Sequence, residues 1–217
     1  MLPNSSSSPT GRQRSAERND SLVLRAARDA FAELGWNAPV SEIARRAGVG
    51  MGSLYRRYGS KDQLAQAIRV AGTEKAAAEA QAAVTAEPDD AWRALVRFLR
   101  AMTAASSGSA LSMLGGRLPS TPELDTASAE LFDILDDLTA RARADGSLRA
   151  DIHPADLMLI LETVNTRFPT EAERARELRL RYLDLILIGL HATATEYDLT
   201  GTPPGWDEIR ALWNAES

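Results

Sequence analysis

The sequence has no cysteine, so neither disulfides nor thiolate metal sites are open to it. Its only histidines are His153 and His191, too few for a histidine-rich metal site. Nucleophilic or metal-assisted chemistry needs a reactive thiol, an acid–base pair or clustered ligands at usable spacing, and none is visible. Adjacent acids such as Asp136-Asp137 read as a solvated helix face. No cofactor is expected, and the chain is read as something other than an enzyme. Aromatic residues make up 6% of it, which argues against a densely stacked cofactor cage. β-branched and aromatic residues nowhere alternate as a strand requires, so an all-α protein is expected. No run is long enough to span a bilayer, and the first twenty residues lack the apolar core of a signal peptide. A cytoplasmic location without membrane contact follows.

What is present is a 217-residue chain, 44% hydrophobic, rich in alanine, leucine, arginine and glutamate. That is ample for a core. The net charge of −5 conceals an asymmetry. Residues 1–70 carry 11 Arg/Lys against 6 Asp/Glu, and the remainder carries 14 against 24. A basic head on an acidic body is the distribution expected of a nucleic-acid reader whose body stays off the phosphates.

The most informative stretch is PVSEIARRAGVGMGSLYRRYGSK, from Pro39 to Lys61. Pro39 suits the first position of a helix. Ile43, Ala44 and Ala47 form its inner stripe, leaving Glu42, Arg45 and Arg46 outside. Gly48 stands where a helix stop needs a left-handed residue. A second helix is predicted from about Met51, with Leu54 and Tyr58 one turn apart. Small Ala44 and Gly48 where two helices cross, and large Leu54 to fill the crossing, make a helix-turn-helix. Ser60 and Gln63 read as a capping box that starts a further helix at Lys61. A capped start carrying an ammonium is a natural phosphate site.

Phe31, Gly35, Ile43-Ala44, Ala47-Gly48-Val49, Leu54-Tyr55, Tyr58, Ser60-Lys61 and Leu64 together resemble the DNA-binding domain of the tetracycline-repressor (TetR) family of bacterial transcription regulators. The likeness covers roughly residues 20 to 68. It departs from the family at Pro39-Val40, where threonines are frequent, and at Gly50-x-Gly52, which leaves the second helix short of side chains. The expected architecture is a disordered tail over 1–17, a three-helix helix-turn-helix domain over 18–66, and a larger helical body for effector binding and dimerisation over 67–217. Gly50, Met51, Gly52 and Ser53 open the second helix and are assigned to base edges. Tyr55 and Lys61 are assigned to phosphates, with Arg56 and Arg57 as backbone or base contacts, and Ser41 and Tyr58 completing the DNA-facing set. Arg12, Arg14 and Arg18 are read either as a minor-groove arm or as a solvated tail.

Ahead of the motif a helix is predicted from about Arg18 to Leu34, with Leu22, Ala26, Ala30, Phe31 and Leu34 inward, stopped by Gly35 and followed by Trp36 as a packing plug. Behind it, helices are predicted from Lys61 to about Ala86 and from Pro88 to about Ala105. Others run from Thr121-Pro122 to about Ala144, from Ala155 to about Asn165, and from a capping box at Thr170–Glu173 to beyond His191. A short one is predicted around Trp206–Trp213. The apolar surface of the helices at about 154–165 and 170–195 exceeds one intrachain contact, which suggests a four-helix seam between two copies. The resemblance implies a small-molecule effector inside the body. Candidate lining residues are Phe98, Met102, Met113 and Phe132, with Glu162 and His191 as polar handles. The expected function is a ligand-responsive repressor that binds a palindromic DNA operator as a homodimer and is released by the effector; the alternative is a ligand-independent regulator or an activator with the same DNA-binding mode.

Overall fold

The computed structural model describes residues 11–106, 114–193 and 198–214, with side chains from Asp20 onward. It divides into two compact units, Met1–Ile68 and Arg69–Ser217. The helices described are α1 (Gly11–Leu34), α2 (Val40–Ala47), α3 (Met51–Tyr58), α4 (Lys61–Ala86), α5 (Ala91–Ala104), α6 (Pro122–Ala144), α7 (Pro154–Val164), α8 (Ala172–Leu190) and α9 (Trp206–Trp213). No strand is present among the described residues; Leu148 and His191 form one isolated antiparallel bridge. Met113 lies outside the described residues.

In the first unit α1 lies behind the motif and packs on α2. Its buried face is Val23, Ala26, Ala27, Ala30 and Phe31, the spacing of one helical stripe. Two expectations fail here. Leu22 and Leu34 are exposed, because Leu22 sits one position, about 100°, away from the stripe that Val23 starts. The helix also begins at Gly11, so residues 11–17 are helical where a disordered tail was expected. Gly35 stops it at φ 70°, and its N–H bonds to Phe31 O at 2.9 Å.

The second unit is arranged around α5, which packs on α6, α7 and α8. Phe98, Leu95 and Leu99 on α5 meet Leu131 and Leu135 of α6 and Leu157 of α7 in the core, while α4 contributes the small residues Ala76, Ala77, Ala80 and Ala83. Side chains set the starts of α5 and α6. Asp90 Oδ1 accepts from Arg93 N at 2.8 Å, and Thr121 Oγ1 accepts from Leu124 N at 3.3 Å, with Pro122 following. The capping box expected at Thr170–Glu173 does not form. Glu171 is the N-cap and uses no side-chain bond, so Glu173 falls one position short of the reach a box requires. Nor does α8 continue past His191; it ends at Leu190, and His191 is extended at φ −68°, ψ 140°.

The inward face of α8 is Ala175, Arg179, Leu183, Leu187 and Leu190. Tyr182, Leu185 and Ile188 lie outside it and are exposed. α9 closes the unit. Its Trp206 ring stacks on Phe132 at 3.8 Å and its indole N–H donates to Asp136 Oδ1 at 3.0 Å.

Candidate nucleic-acid interface

The geometry of the motif follows from a few residues. Pro39 is the extended residue before α2 (φ −65°, ψ 136°) rather than its first helical position, and its carbonyl accepts from Glu42 N at 3.0 Å. Gly48 adopts the left-handed conformation (φ 66°, ψ 29°), its N–H pointing at Ala44 O and Arg45 O. The Val49 N–H also reaches Ala44 O, at 3.0 Å. These bonds use the carbonyls a helix end leaves open, and they turn the chain into α3. Ile43 and Ala44 of α2 and Leu54 of α3 are buried where the two helices meet.

Leu54 is the one buried residue of α3. Ser41, Gly50, Met51, Gly52, Ser53, Tyr55, Arg56 and Arg57 are all exposed, while Tyr58 and Lys61 are half-buried. Ten sequence-assigned residues therefore share the first unit, eight of them open to solvent. Gly50 and Gly52 have no neighbour within 4 Å of where a Cβ would stand. The fold does not require glycine at either position, and the start of α3 is bare backbone.

The charged groups are not equivalent. Glu42 accepts from both Arg45 and Arg46 at 2.7–2.8 Å, and these bonds hold its carboxyl down to about 2. Arg46 also pairs with Glu33 of α1 at 2.6 Å, so one acidic residue on each helix ties α1 to α2. Arg57 pairs with Asp20 on α1, and the Tyr58 hydroxyl approaches the same carboxylate at 3.5 Å. Asp20 thus fixes the end of α3, a partnership across 38 residues that no local pattern announces. Arg56 bonds Ser53 Oγ at 3.2 Å and makes no ion pair among the described residues. Lys61 makes none either. Its ammonium lies over the rings of Phe31 at 5.6 Å and Trp36 at 5.3 Å, which stack on each other. Burial pushes its pKa down, and the two ring faces stabilise the cation in compensation. Trp36 is therefore more than a plug: it helps to aim Lys61. Beside it Ser60 Oγ accepts from Gln63 N at 3.1 Å. Gly59 holds φ 69° with the Gln63 carboxamide in the space a Cβ would take, so the turn into α4 demands glycine.

The described candidate effector residues have different surroundings. Phe98 is fully buried in the core and Met102 packs at its margin. Phe132 is covered by Trp206 and by the Arg210 guanidinium at 5.7 Å. His191 lies edge-on to Trp92 at 5.0 Å and contacts Thr193 Oγ1. Trp92 and Met102 are ten residues apart on α5, on the order of 15 Å at 1.5 Å per residue, so His191 and Met102 belong to different levels of the body. Glu162 is half-buried on α7. Sequence reasoning missed Arg179, buried on the inward face of α8. Its four-residue spacing from Ala175 and Leu183 was the available signal.

Residues 23–68 match the bacterial regulatory proteins of the tetR family. Residues 87–192 match the C-terminal domain of SbtR-like transcriptional regulators. The chain belongs to the TetR family. It is a DNA-binding transcriptional regulator, not an enzyme. Among solved structures it is similar to a TetR transcription regulatory protein from Mycobacterium vanbaalenii, with 29% identity over 83% of this chain and 99% of that one and a TM-score of 0.58. A TetR transcriptional regulator from Streptomyces coelicolor shares 26% identity over 81% and 99%, with a TM-score of 0.54. The ketosteroid transcriptional regulator of Mycobacterium tuberculosis, 22% identical over 80% and 95%, shows the same fold at a TM-score of 0.57. None of the curated proteins matches the chain. No helix among the described residues is long and apolar enough to cross a membrane, and no group of three metal-binding side chains occurs among them. Membership of the family implies DNA binding and dimerisation, with effector binding in the C-terminal domain.

Proposed function

We propose that this TetR regulator is a repressor that binds a palindromic operator as a homodimer and releases it when a small molecule occupies the body. The observation that supports the reading is the open face of α3, where Leu54 is the one buried residue and Met51, Ser53, Tyr55 and Arg56 stand exposed. Gly50, Met51, Gly52 and Ser53 approach base edges, with the bare backbone allowing close contact. Tyr55, Ser41 and Lys61 take phosphates, and Arg56 is available for base or backbone. Arg57 and Tyr58, held by Asp20, set the position of α3 and meet the DNA at its margin.

Two heads must meet two half-sites about 34–36 Å apart or a multiple of it. The exposed stripe Tyr182, Leu185 and Ile188 on α8, with α7 beside it, is the surface that joins two copies. α4 begins at Lys61 and ends among the alanines of the body core, so an effector that prefers a different packing of the body displaces Lys61 through one continuous helix. A coupling of ~1–3 kcal/mol changes occupancy by one to two orders of magnitude.

The test uses DNA from upstream of the protein's own gene, in anisotropy titrations over a range of salt. Lys61→Met removes one phosphate contact per protomer, so the slope of log K against log salt should shrink by about 1.8 for the dimer. An unchanged slope removes Lys61 from the interface.

A further inference from the structure

Arg179 is 6% exposed, on the inward face of α8 among Ala175, Leu183 and Leu187. Its Nη2 donates to Ser106 O at 3.0 Å. Its Nε has no hydrogen-bond partner, and no carboxylate among the described residues pairs with it. A guanidinium keeps its charge at any ordinary pH, even though burial and the nearby Arg176 both push its pKa down. One carbonyl beyond the end of α5 satisfies one donor; it does not neutralise a buried charge. Two other buried polar atoms of the same unit also lack partners. Thr103, three residues before Ser106, is fully buried with its hydroxyl unpartnered. Asn165, which ends α7, is 9% exposed with Oδ1 unpartnered. α5, α7 and α8 pack on one another, so three helices each bring an unsatisfied polar group into one apolar body. Native interiors rarely leave such groups unpaired.

We infer that Arg179 is the anion-binding residue of the effector site, and that the effector is a small organic carboxylate. The carboxylate takes the Nε and Nη donors of Arg179 in the two-pronged geometry a guanidinium presents, Thr103 supplies a hydroxyl, and the apolar core receives the rest of the molecule. The inference rests on the ligand-responsive reading and adds the chemistry of the ligand. It also accounts for the location. A charge that is uncompensated until the anion arrives makes the unliganded packing of α5 against α8 the less stable one, so the ligand has a state to prefer.

The probes are benzoate and hexanoate against their uncharged counterparts benzamide and hexanamide, titrated into the full chain with and without operator DNA. Melting temperature and DNA anisotropy are read together. The carboxylates should raise the melting temperature of the wild type and release the DNA, while the amides do neither. Arg179→Met, which fills the volume without charge, should melt at or above the wild type without ligand and bind the carboxylates at least tenfold more weakly. Arg179→Lys should recover part of the response. Amides acting as well as the acids on the wild type would overturn the inference without need of any variant. So would an Arg179→Met protein that responds normally, or a wild type indifferent to both acids. If the amides alone release the DNA, the anion site falls and the ligand-responsive reading stands.

Discussion

Replacing Ile188 by aspartate tests the proposed seam between two copies. Ile188, Leu185 and Tyr182 are 69, 55 and 51% exposed and stand at three-residue intervals along α8, with Arg181 just before them and Asp184 between Tyr182 and Leu185. Each leaves on the order of 100 Å² of largely apolar surface in water, worth ~2.5 kcal/mol per side chain at ~25 cal/mol/Å² if a partner covers it. In a twofold interface each residue is used twice, so losing Ile188 alone removes ~5 kcal/mol from the dimer. The aspartate adds the cost of desolvating an unpaired carboxylate. The dissociation constant should rise by at least about three orders of magnitude, turning a nanomolar dimer into a monomer at micromolar protein. Sedimentation velocity between 1 and 100 µM reads this directly. Leu212→Asp, at a comparably exposed leucine on α9, is the control and should remain dimeric. Helix content should be kept in both, because neither side chain is buried in the protomer. A wild type that is monomeric at 100 µM, or an Ile188→Asp protein that stays dimeric at 1 µM, refutes the assignment of this face.

Three other outcomes follow from local geometry. Glu42, its carboxyl held down to about 2 by Arg45 and Arg46, stabilises the first unit fully above about pH 4.5, and that contribution fades as the pH falls toward 2. Glu42→Gln should therefore melt below the wild type at pH 7, and the gap should close on acidification; a gap that does not depend on pH refutes the linkage. Gly52→Ala meets no atom within 4 Å and should stabilise the first unit by up to ~1 kcal/mol while weakening DNA binding, since the added methyl stands where backbone approaches the groove; unchanged affinity would show that α3 keeps its distance. Arg69, 5% exposed, donates to Leu118 O, Pro119 O, Trp213 O and Asn214 Oδ1. Arg69→Met leaves these acceptors short of a donor and should cost ~3 kcal/mol in urea unfolding; a loss under ~1 kcal/mol would mean that other groups replace it.

The helix-turn-helix was legible because its determinants are local. Gly48 stops α2, Ser60 starts α4 and Leu54 fills the crossing, each within a few residues of what it acts on. What surrounds the motif was not, because the partners are distant in sequence. Asp20 reaches Arg57 and Tyr58, and Phe31 with Trp36 carries Lys61. In α8 the difficulty is of another kind. Leucines fall on every side of it, so periodicity does not say which stripe is inside, and Leu178, Tyr182 and Leu185 look as good from sequence as Ala175, Leu183 and Leu187. Packing against α5 chose the latter. The same choice placed Arg179 inside and Ile188 outside.

Phe98 and Phe132, chosen by type as effector contacts, are both engaged in packing. Size and apolarity select them, but large apolar residues are what any core consumes. A ligand must be recognised by what the core does not use. In this body that is polar: Thr103, Asn165 and Arg179. α4 meets the same core through alanines, whose small side chains give smooth contacts and little interlocking, so its fixed point within the body is polar as well, at Arg69. Rearranging a few charged hydrogen bonds is a discrete event, whereas shifting an alanine face past leucines is nearly graded. On the proposed ligand-responsive reading, the arginines are therefore where a switch would turn.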